Sequence, residues 1–526
     1  MDRLTAVSLA LAAAALALLG SWWLDGQPVN LRAGGTLPLQ CVSYAPSSGY
    51  PAPPGPVTRE HIRRDLELIA RRFRCVRTYT VAHGLDQVPS VARELGLEVL
   101  LGAWIGGDPA QNERELALAI EAARRDRDAI EAIVVGNEVL LRHELSEDQL
   151  APLIERVARD TGLAVTYADV WGYWMSHRSL ARSVSFVTVH ILPYWDDHPV
   201  GIDAVIARVE QIYSDLRAYF PGKHVLVGET GWPSYGKPRG ELEPSRVNQA
   251  RYLREFTALA ERREIPYNLI EAFDQPWKRA HEGTVGAYWG LYDARGREKF
   301  SWSGPVVEAP HARAVVLASA ALGALGALAG VLLLKRRRGR GAVVVASCAI
   351  LAVAIGAHQV EYLHAASVTW IDWTASLLVV VAGWTAFFLA CRGALSGAFC
   401  HDSIPRALAL LLLLGSAYAC AGLAVAGRHR DFPVWLFLPA VLALAAAAWM
   451  DPLGRARILV RRRAIEETII AFWLVSAGAA IPLVERFGNQ LSIAWGLSSL
   501  ALGLSVLLPL ALQARQDQRA SHDPDD

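Results

Sequence analysis

The sequence predicts an α/β fold, a (β/α)8 TIM barrel, joined to an N-terminal membrane anchor and a C-terminal multi-span α-helical membrane bundle. Three observations predict it. Apolar residues make up 53% of the 526-residue chain, concentrated in one N-terminal run and in a block after about residue 310. Between Leu39 and Trp277, eight short branched-apolar runs alternate with helical patterns, the grammar of parallel strands joined by helical crossovers. Two of those runs deliver a glutamate at their C-terminal tips, the edge at which such barrels carry their active sites. The chain is too long for one ordinary domain.

Taken in order, residues 1–24 hold an apolar run from Leu4 to Leu24, about the ~20 residues that span a bilayer. It ends in Trp22-Trp23, a pair suited to the membrane interface. A clear small-x-small cleavage pattern is missing, so an uncleaved anchor is expected, with a cleaved signal peptide as the competing reading. Residues 25–37 read as a polar linker. The barrel is expected over 38–305, with strands at Leu39–Ala45, Cys75–Val81, Glu98–Ile105, Ile133–Glu138, Ala164–Ala168, Val184–Leu192, His224–Glu229 and Tyr267–Phe273. Helices are expected at Arg59–Arg72, Glu113–Asp128, Ser146–Asp160, Ile202–Phe220 and Val247–Glu261. The third of these opens on a Ser146-x-x-Gln149 capping box. An open doubly wound sheet is the alternative, but a Gly-rich phosphate loop does not follow the first strand. An eighth helix is not evident.

The block over 306–513 reads as seven spans, at about 312–334, 342–362, 368–391, 406–426, 432–450, 467–484 and 490–513. A tail over 514–526 follows. Basic loops stay on the cytoplasmic side. Lys335 to Arg340 and Arg455 to Arg463 are strongly basic. They fall on one side if every span crosses. That side also receives both termini and leaves the barrel outside. Arg428 and Arg430 depart slightly from the rule. Glu361, His364 and Asp372 cluster at the expected outer surface. Internal repeats of the inverted-transporter kind are not evident.

Net charge is +1 at pH 7, so nothing points to nucleic acid as a partner. The six cysteines do not form a framework or a zinc-type spacing. Cys41 and Cys75 fall on expected strands and are read as buried thiols, since adjacent parallel strands rarely reach disulfide geometry. No metal and no cofactor are expected. His190 is read as a hydrogen-bonded scaffold residue. Arginine and alanine greatly outnumber lysine and methionine, a composition consistent with a GC-rich bacterial genome.

Chemistry enters at the two matching strand ends. His224-Val225-Leu226-Val227-Gly228-Glu229 is followed by Thr230-Gly231-Trp232-Pro233-Ser234, and Ala132-Ile133-Val134-Val135-Gly136 by Asn137-Glu138. A retaining glycosidase needs such a pair. One carboxyl protonates the leaving oxygen while the other attacks the sugar carbon, ~5–5.5 Å away. An exposed indole beside them suits the apolar face of a sugar.

Glu229-Thr230-Gly231-Trp232-Pro233-Ser234 resembles the nucleophile signature of glycoside hydrolase family 17, the β-1,3-glucanases and glucanosyltransferases. Gly136-Asn137-Glu138 resembles the acid/base motif of its clan. Glu271-Ala272-Phe273-Asp274-Gln275-Pro276-Trp277-Lys278 and Tyr288-Trp289-Gly290-Leu291-Tyr292 resemble the strand 8 and closing segments. The likeness covers about residues 38–300. It implies Glu229 as nucleophile, Glu138 as acid/base and Asn137 as donor to the sugar 2-hydroxyl. The acid is expected to have a raised pKa from burial and a nearby anion. Tyr194 is a candidate to orient the nucleophile. Tyr44, Arg77, Trp104, Glu271 and Lys278 are read as subsite residues, and Trp232, Trp277 and Trp289 as stacking platforms. Gln275 stands where the family more often has glutamate, and the loop Pro46–Pro56 is read as a cover for an acceptor sugar.

The expectation is a bacterial inner-membrane enzyme, facing outward, that cleaves β-1,3-glucan by hydrolysis, transglycosylation or both. The family includes membrane-fused bacterial members linked to branched β-1,3/1,6-glucans. Expected partners are a β-glucan, the lipid bilayer and a glucan synthase or exporter. The alternative is a sugar-binding or export-coupled membrane protein with a glycosidase-like processing domain.

Overall fold

Branched apolar runs leave their backbone donors and acceptors to be paired by neighbouring strands. In the computed structural model, which describes residues 3–47, 55–334, 338–396, 404–461, 464–485 and 487–522, eight such runs pair in parallel. They are β1 (Leu39–Ser43), β2 (Phe73–Arg77), β3 (Glu98–Ala103), β4 (Ile130–Asn137), β5 (Ala164–Val170), β6 (Val187–His190), β7 (Val225–Thr230) and β8 (Tyr267–Leu269). Their order is sequential and the barrel is closed, with β8 returning to β1 through Cys41↔Asn268 and Val42↔Leu269. The (β/α)8 fold read from the sequence is the fold observed.

The helices between strands form where the sequence places apolar residues on one face and a cap at the start. Thr58 accepts from the His61 amide to open Arg59–Ile69. The Ser146/Gln149 capping box opens Glu147–Thr161, and Ser245 caps Arg246–Arg263. The helix expected from Glu113 begins earlier, at Pro109, because Asp108 caps it and proline suits its first turn. In that helix Leu116, Ala119, Ile120 and Ala123 are buried, whereas Leu118 is exposed. It lies two residues from Leu116, so it projects to the other side. The last strand is shorter than expected. Beyond Leu269 the backbone leaves the ladder: the Ala272 amide donates to Ser43 and the Leu291 amide to Glu271. Only short turns follow, Pro276–Lys278, Arg279–Glu282 and Thr284–Ala287, in place of an eighth long helix.

One expectation is overturned inside the barrel. Cys41 and Cys75 form a disulfide rather than two thiols. The register of β1 on β2 sets the two residues directly opposite each other, with Cα atoms 4.3 Å apart. Both belong to the small apolar cluster with Leu100, Ala132, Val134, Ala168 and Leu226. Adjacent parallel strands permit the bond when the register aligns two inward side chains.

The chain divides into two compact units, Val29–Val306 and Met1–Pro28 with Val307–Asp526. The second unit is helical. Among the described residues, seven helices are long and apolar enough to cross a membrane: Leu4–Asp25, Ala312–Leu333, Gly339–Ala366, Trp370–Ser396, Arg406–Ala426, Ile465–Val484 and Gln490–Gln518. The span expected at 432–450 is the shorter helix Val434–Met450, of 17 residues. At 1.5 Å per residue it reaches about 26 Å, against a hydrocarbon core of ~30 Å. Trp22 caps one end of this unit. Its indole stacks on His358 at 4.2 Å, and His358 stacks on Trp435 at 3.9 Å. His311 and His358 lie 2.9 and 3.3 Å from Glu361. Elsewhere, Arg406 pairs with Glu467 at 2.5 Å and with Glu466 at 3.2 Å.

Candidate active site

The two strand ends reach the same rim by different backbone routes. On β4, Gly136 has φ +87°, and an added Cβ would lie 2.8 Å from the Val139 side chain. The register to β5 shifts between Val134 and Asn137. Glu138 then adopts φ +54°, a conformation uncommon outside glycine and asparagine, and its amide donates to Ala168. On β7 the strand continues through Glu229 to Thr230. Gly228 allows the close approach of β6, since a Cβ there would lie 2.4 Å from Thr188 Cγ2.

These routes bring the carboxylates together over His190. One oxygen each of Glu138 and Glu229 and one ring nitrogen of His190 all lie within 4.8 Å of one another. His190 Nδ1 is 2.9 Å from Glu138 Oε1, and its Nε2 is 3.5 Å from Glu229 Oε1. Arg77, fully buried, donates to Glu229 Oε1 at 3.2 Å, to the Gly228 carbonyl at 2.7 Å and to Asn137 Oδ1 at 2.6 Å. Tyr79 donates to the same Glu229 oxygen at 2.8 Å. A relay stands behind it: Asn268 Nδ2 donates to Ser43 Oγ at 2.8 Å, and Ser43 Oγ lies 2.8 Å from Tyr79 Oη. Every described partner of Glu229's side chain therefore falls on Oε1. Asn137 accepts from Arg77 through Oδ1, which leaves its Nδ2 donors without a described partner.

The surroundings differ in polarity as well. Burial pushes the Glu138 carboxyl up, but the hydrogen bond and charge of His190, with Arg142 and Arg77, outweigh it and hold the group below the usual range. The expected upward shift of the acid is thus reversed in the unliganded site, because a histidine rather than an anion is its nearest titratable neighbour. Burial drives Tyr79 well above its ordinary value, and the Glu229 charge adds to the rise. Glu271 is pushed to about 7 by burial, against the pull of Lys278, which donates to both its oxygens at 2.8 and 2.9 Å. Asp274 is also pushed to about 7 by burial, against Lys299. Glu282 is raised by burial, with Glu138 and Glu229 contributing.

Other residues singled out in the sequence are placed unevenly. Tyr44 is buried and donates to Asp65. Trp232 is fully buried against Tyr252, its Nε1 donating to the Glu243 carbonyl, so it has no open face for a sugar ring. The strand 7 turn points its indole into the helical layer instead. Trp289 is buried too, edge-on to Tyr194. Tyr194 Oη donates to the Lys237 carbonyl at 2.5 Å, and the hydroxyl that reaches Glu229 is that of Tyr79. Trp104 and Trp277 remain partly exposed. Arg142 lies 4.3 Å over the Trp104 ring, and Trp277 Nε1 donates to Gln275 Oε1 at 2.9 Å. Gln275 Nε2 reaches the Ala45 and Pro46 carbonyls. Residues 48–54 of the loop read as an acceptor cover lie outside the described residues.

Sequence reasoning passed over Tyr79, Ser43 and Glu282. A signal for Tyr79 was present: it follows Cys75 and Arg77 at two-residue spacing, which repeats one face of a strand. Glu138, His190 and Glu229 also have the donor types of a metal site. The Arg77 guanidinium, 3.2 Å from Glu229 Oε1, already sets a positive charge against that oxygen and fits a divalent ion poorly. Cys41, Cys75 and Glu131 converge as well, but both sulfurs are committed to the disulfide.

Residues 41–290 match the family model of the BtgE/BtgC glycoside hydrolase domain. "Probable beta-glucosidase btgE" of Aspergillus fumigatus is 28% identical over 234 residues, 43% of this chain and 40% of that protein. "Glucan 1,3-beta-glucosidase" of Schizosaccharomyces pombe is 28% identical over 256 residues, 44% of this chain and 77% of that protein. The chain thus spans about two-fifths of the length of the btgE relatives it matches. Among solved structures, the glycoside hydrolase family 17 beta-1,3-glucanosyltransferase from Rhizomucor miehei aligns with 24% identity and a TM-score of 0.46, over 52% of this chain and all of that one.

Proposed function

We propose that the barrel is a glycoside hydrolase domain that cleaves β-1,3-glucan with retention of configuration, Glu229 acting as nucleophile and Glu138 as acid/base. The observation that carries the reading is the approach of the two carboxylates to within 4.8 Å. Retaining enzymes hold their carboxyls ~5–5.5 Å apart, whereas inverting ones need ~6.5–9.5 Å to admit water between them. The β-1,3 linkage rests on the S. pombe relative's printed activity.

In this mechanism Glu229 Oε1 is held by Arg77 and Tyr79, and Oε2 attacks the anomeric carbon. The leaving oxygen takes the proton that the Glu138–His190 pair holds between Oε1 and Nδ1. That leaves a glycosyl ester on Glu229, a Glu138 carboxylate and a neutral imidazole. Asn137 Nδ2 is available to the sugar 2-hydroxyl. Glu138 next removes a proton from the acceptor, and the acceptor oxygen displaces Glu229. Water as acceptor gives hydrolysis. A sugar hydroxyl gives transfer, and hence remodelling or branching. Gln275 favours transfer in one respect: both ends of its amide are bonded, and it is no base for water.

The second unit is read as a membrane bundle that leaves the barrel on the extracytoplasmic face, with both termini in the cytoplasm. The Cys41–Cys75 disulfide supports that side, since such bonds persist in oxidising compartments. The short helix Val434–Met450 is read as a crossing. Trp435 at its start stacks on His358. Asp451, just past its end, leads into Pro452–Arg461, whose Arg455 feels the charge of Glu467 beside Arg406. The first cluster gathers expected outer ends, the second expected inner ends.

Two experiments test these readings. Nuclear magnetic resonance of the first-formed product from a laminari-oligosaccharide should show a β-anomer; an α-anomer overturns the two-step reaction. Reporter fusions after residue 306, near Leu363 and at 485–489 should report the extracytoplasmic side, and those at Arg338, Arg461 and the C-terminus the cytoplasm. A cytoplasmic barrel defeats the topology.

A further inference from the structure

Behind Glu138 lies a buried polar pair that the reaction does not consume. Tyr167 and Asp169 occupy alternate positions on β5, and both are fully buried. Tyr167 packs against Trp174 in the cluster that faces the helices, so neither group is placed to meet a sugar. Their hydrogen bonds converge on the turn that carries Glu138. The Leu140 amide donates to Tyr167 Oη at 3.0 Å. The Tyr167 hydroxyl donates in turn to Asp169 Oδ2. The same oxygen takes the Leu141 amide at 3.4 Å, while Oδ1 takes the Val170 amide at 2.7 Å. The turn closes on itself when the Arg142 amide donates to the Glu138 carbonyl at 2.9 Å.

A left-handed residue in a catalytic turn persists only where its surroundings over-determine it. Glu138, at φ +54°, is such a residue. The amides two and three positions beyond it are the ones Tyr167 and Asp169 hold. We propose that Tyr167 and Asp169 are positioning residues for the acid/base, fixing the 138–142 turn so that the Glu138 carboxyl meets His190 and the leaving oxygen. The idea rests on Glu138 acting as acid/base. Burial raises the Asp169 carboxyl, and the Tyr167 hydrogen bond and the His190 charge act against that rise.

Misplacing an acid/base leaves a distinct kinetic trace. Proton donation matters for a sugar leaving group and little for an activated aryl leaving group. The test uses the full-length chain in detergent, with Tyr167→Phe as first variant and Asp169→Asn as second should the first fail to fold. The readout is kcat/KM, which reports the glycosylation step, for laminaritetraose and for a dinitrophenyl β-glucoside. Expected is a fall of about 10-fold or more on the tetrasaccharide with the aryl substrate within about threefold of wild type. Equal losses on both substrates, or no loss on either, overturn the proposal, since a merely structural role affects both alike. Glu138→Gln is measured in parallel. If it shows no split between the substrates, the acid/base assignment itself fails; if it shows the split and the two variants do not, only the positioning role fails.

Discussion

The ends of β4 and β7 share one sequence grammar, an apolar run, a glycine and a glutamate, yet the fold gives them opposite settings. The Glu229 side chain is 5% exposed and that of Glu138 is 23% exposed. Glu229 is held through one oxygen by an arginine and a tyrosine from β2 and its extension. Glu138 sits in a left-handed turn with a histidine from β6 as its main partner. A carboxylate locked at one oxygen, with the other left open, is held in aim, which suits a nucleophile. A partly exposed carboxylate hydrogen-bonded to an imidazole has a partner for proton exchange, which suits an acid/base. The strand motif brings a glutamate to the rim, and its neighbours set its surroundings.

Substitutions should separate the two ends. The largest effect is expected from Glu229→Gln, which removes the attacking group and should lower turnover of laminari-oligosaccharides by about 10^4-fold or more, with an unchanged circular dichroism spectrum. Retained activity would reverse the assignment. Glu138→Gln should lower kcat/KM on oligosaccharides by ~10²–10⁴-fold and leave an activated aryl glucoside much less affected. Azide added to Glu138→Ala should yield a β-glucosyl azide, the retained product; an α-azide contradicts a Glu229 ester. Tyr79→Phe takes one hydrogen bond from the nucleophile. A bond to a charged group is worth ~1.5–3 kcal/mol, so kcat should fall by about 10-fold or more while KM changes little. A fall carried by KM would make Tyr79 a substrate contact instead.

The smallest effect concerns pH and stability rather than rate. The Glu271 carboxyl is raised in the folded barrel to about 7 from 4.5. Between those values the folded state holds a proton that the unfolded chain releases. That contribution is fully present below pH 4.5 and is lost as pH rises through about 7. Thermal unfolding should therefore show the wild type losing stability relative to Glu271→Gln across this window. Parallel pH profiles for the two proteins would mean that Glu271 is already ionised in the unliganded barrel.

Transfer against hydrolysis sharpens the reading at the Glu138 end, where the proposed reaction deprotonates the acceptor. Mass spectrometry and linkage analysis over time, from a short β-1,3 oligomer, should show lengthened or newly linked products beside shortened ones. Shorter oligomers alone, at every acceptor concentration, would make the enzyme a plain glucanase.

Local chemistry was enough to read the barrel and its two glutamates. Alternating branched-apolar runs and capped amphipathic helices have periods set by the backbone, and Gly-x-Glu and Glu-Thr-Gly-Trp-Pro-Ser are contiguous. The long apolar helices were legible for the same reason, since length and hydropathy are sums along the chain. Register and side-chain direction are not. The Cys41–Cys75 bond depends on how β1 aligns with β2. The burial of Trp232 depends on which way one turn points its indole. The hold on Glu229 depends on Tyr79 arriving from the segment just past β2, 150 residues earlier. The lowered pKa of Glu138 depends on His190, 52 residues away in the chain. Each is a contact between distant segments, set by barrel closure and not by the residues beside it in sequence.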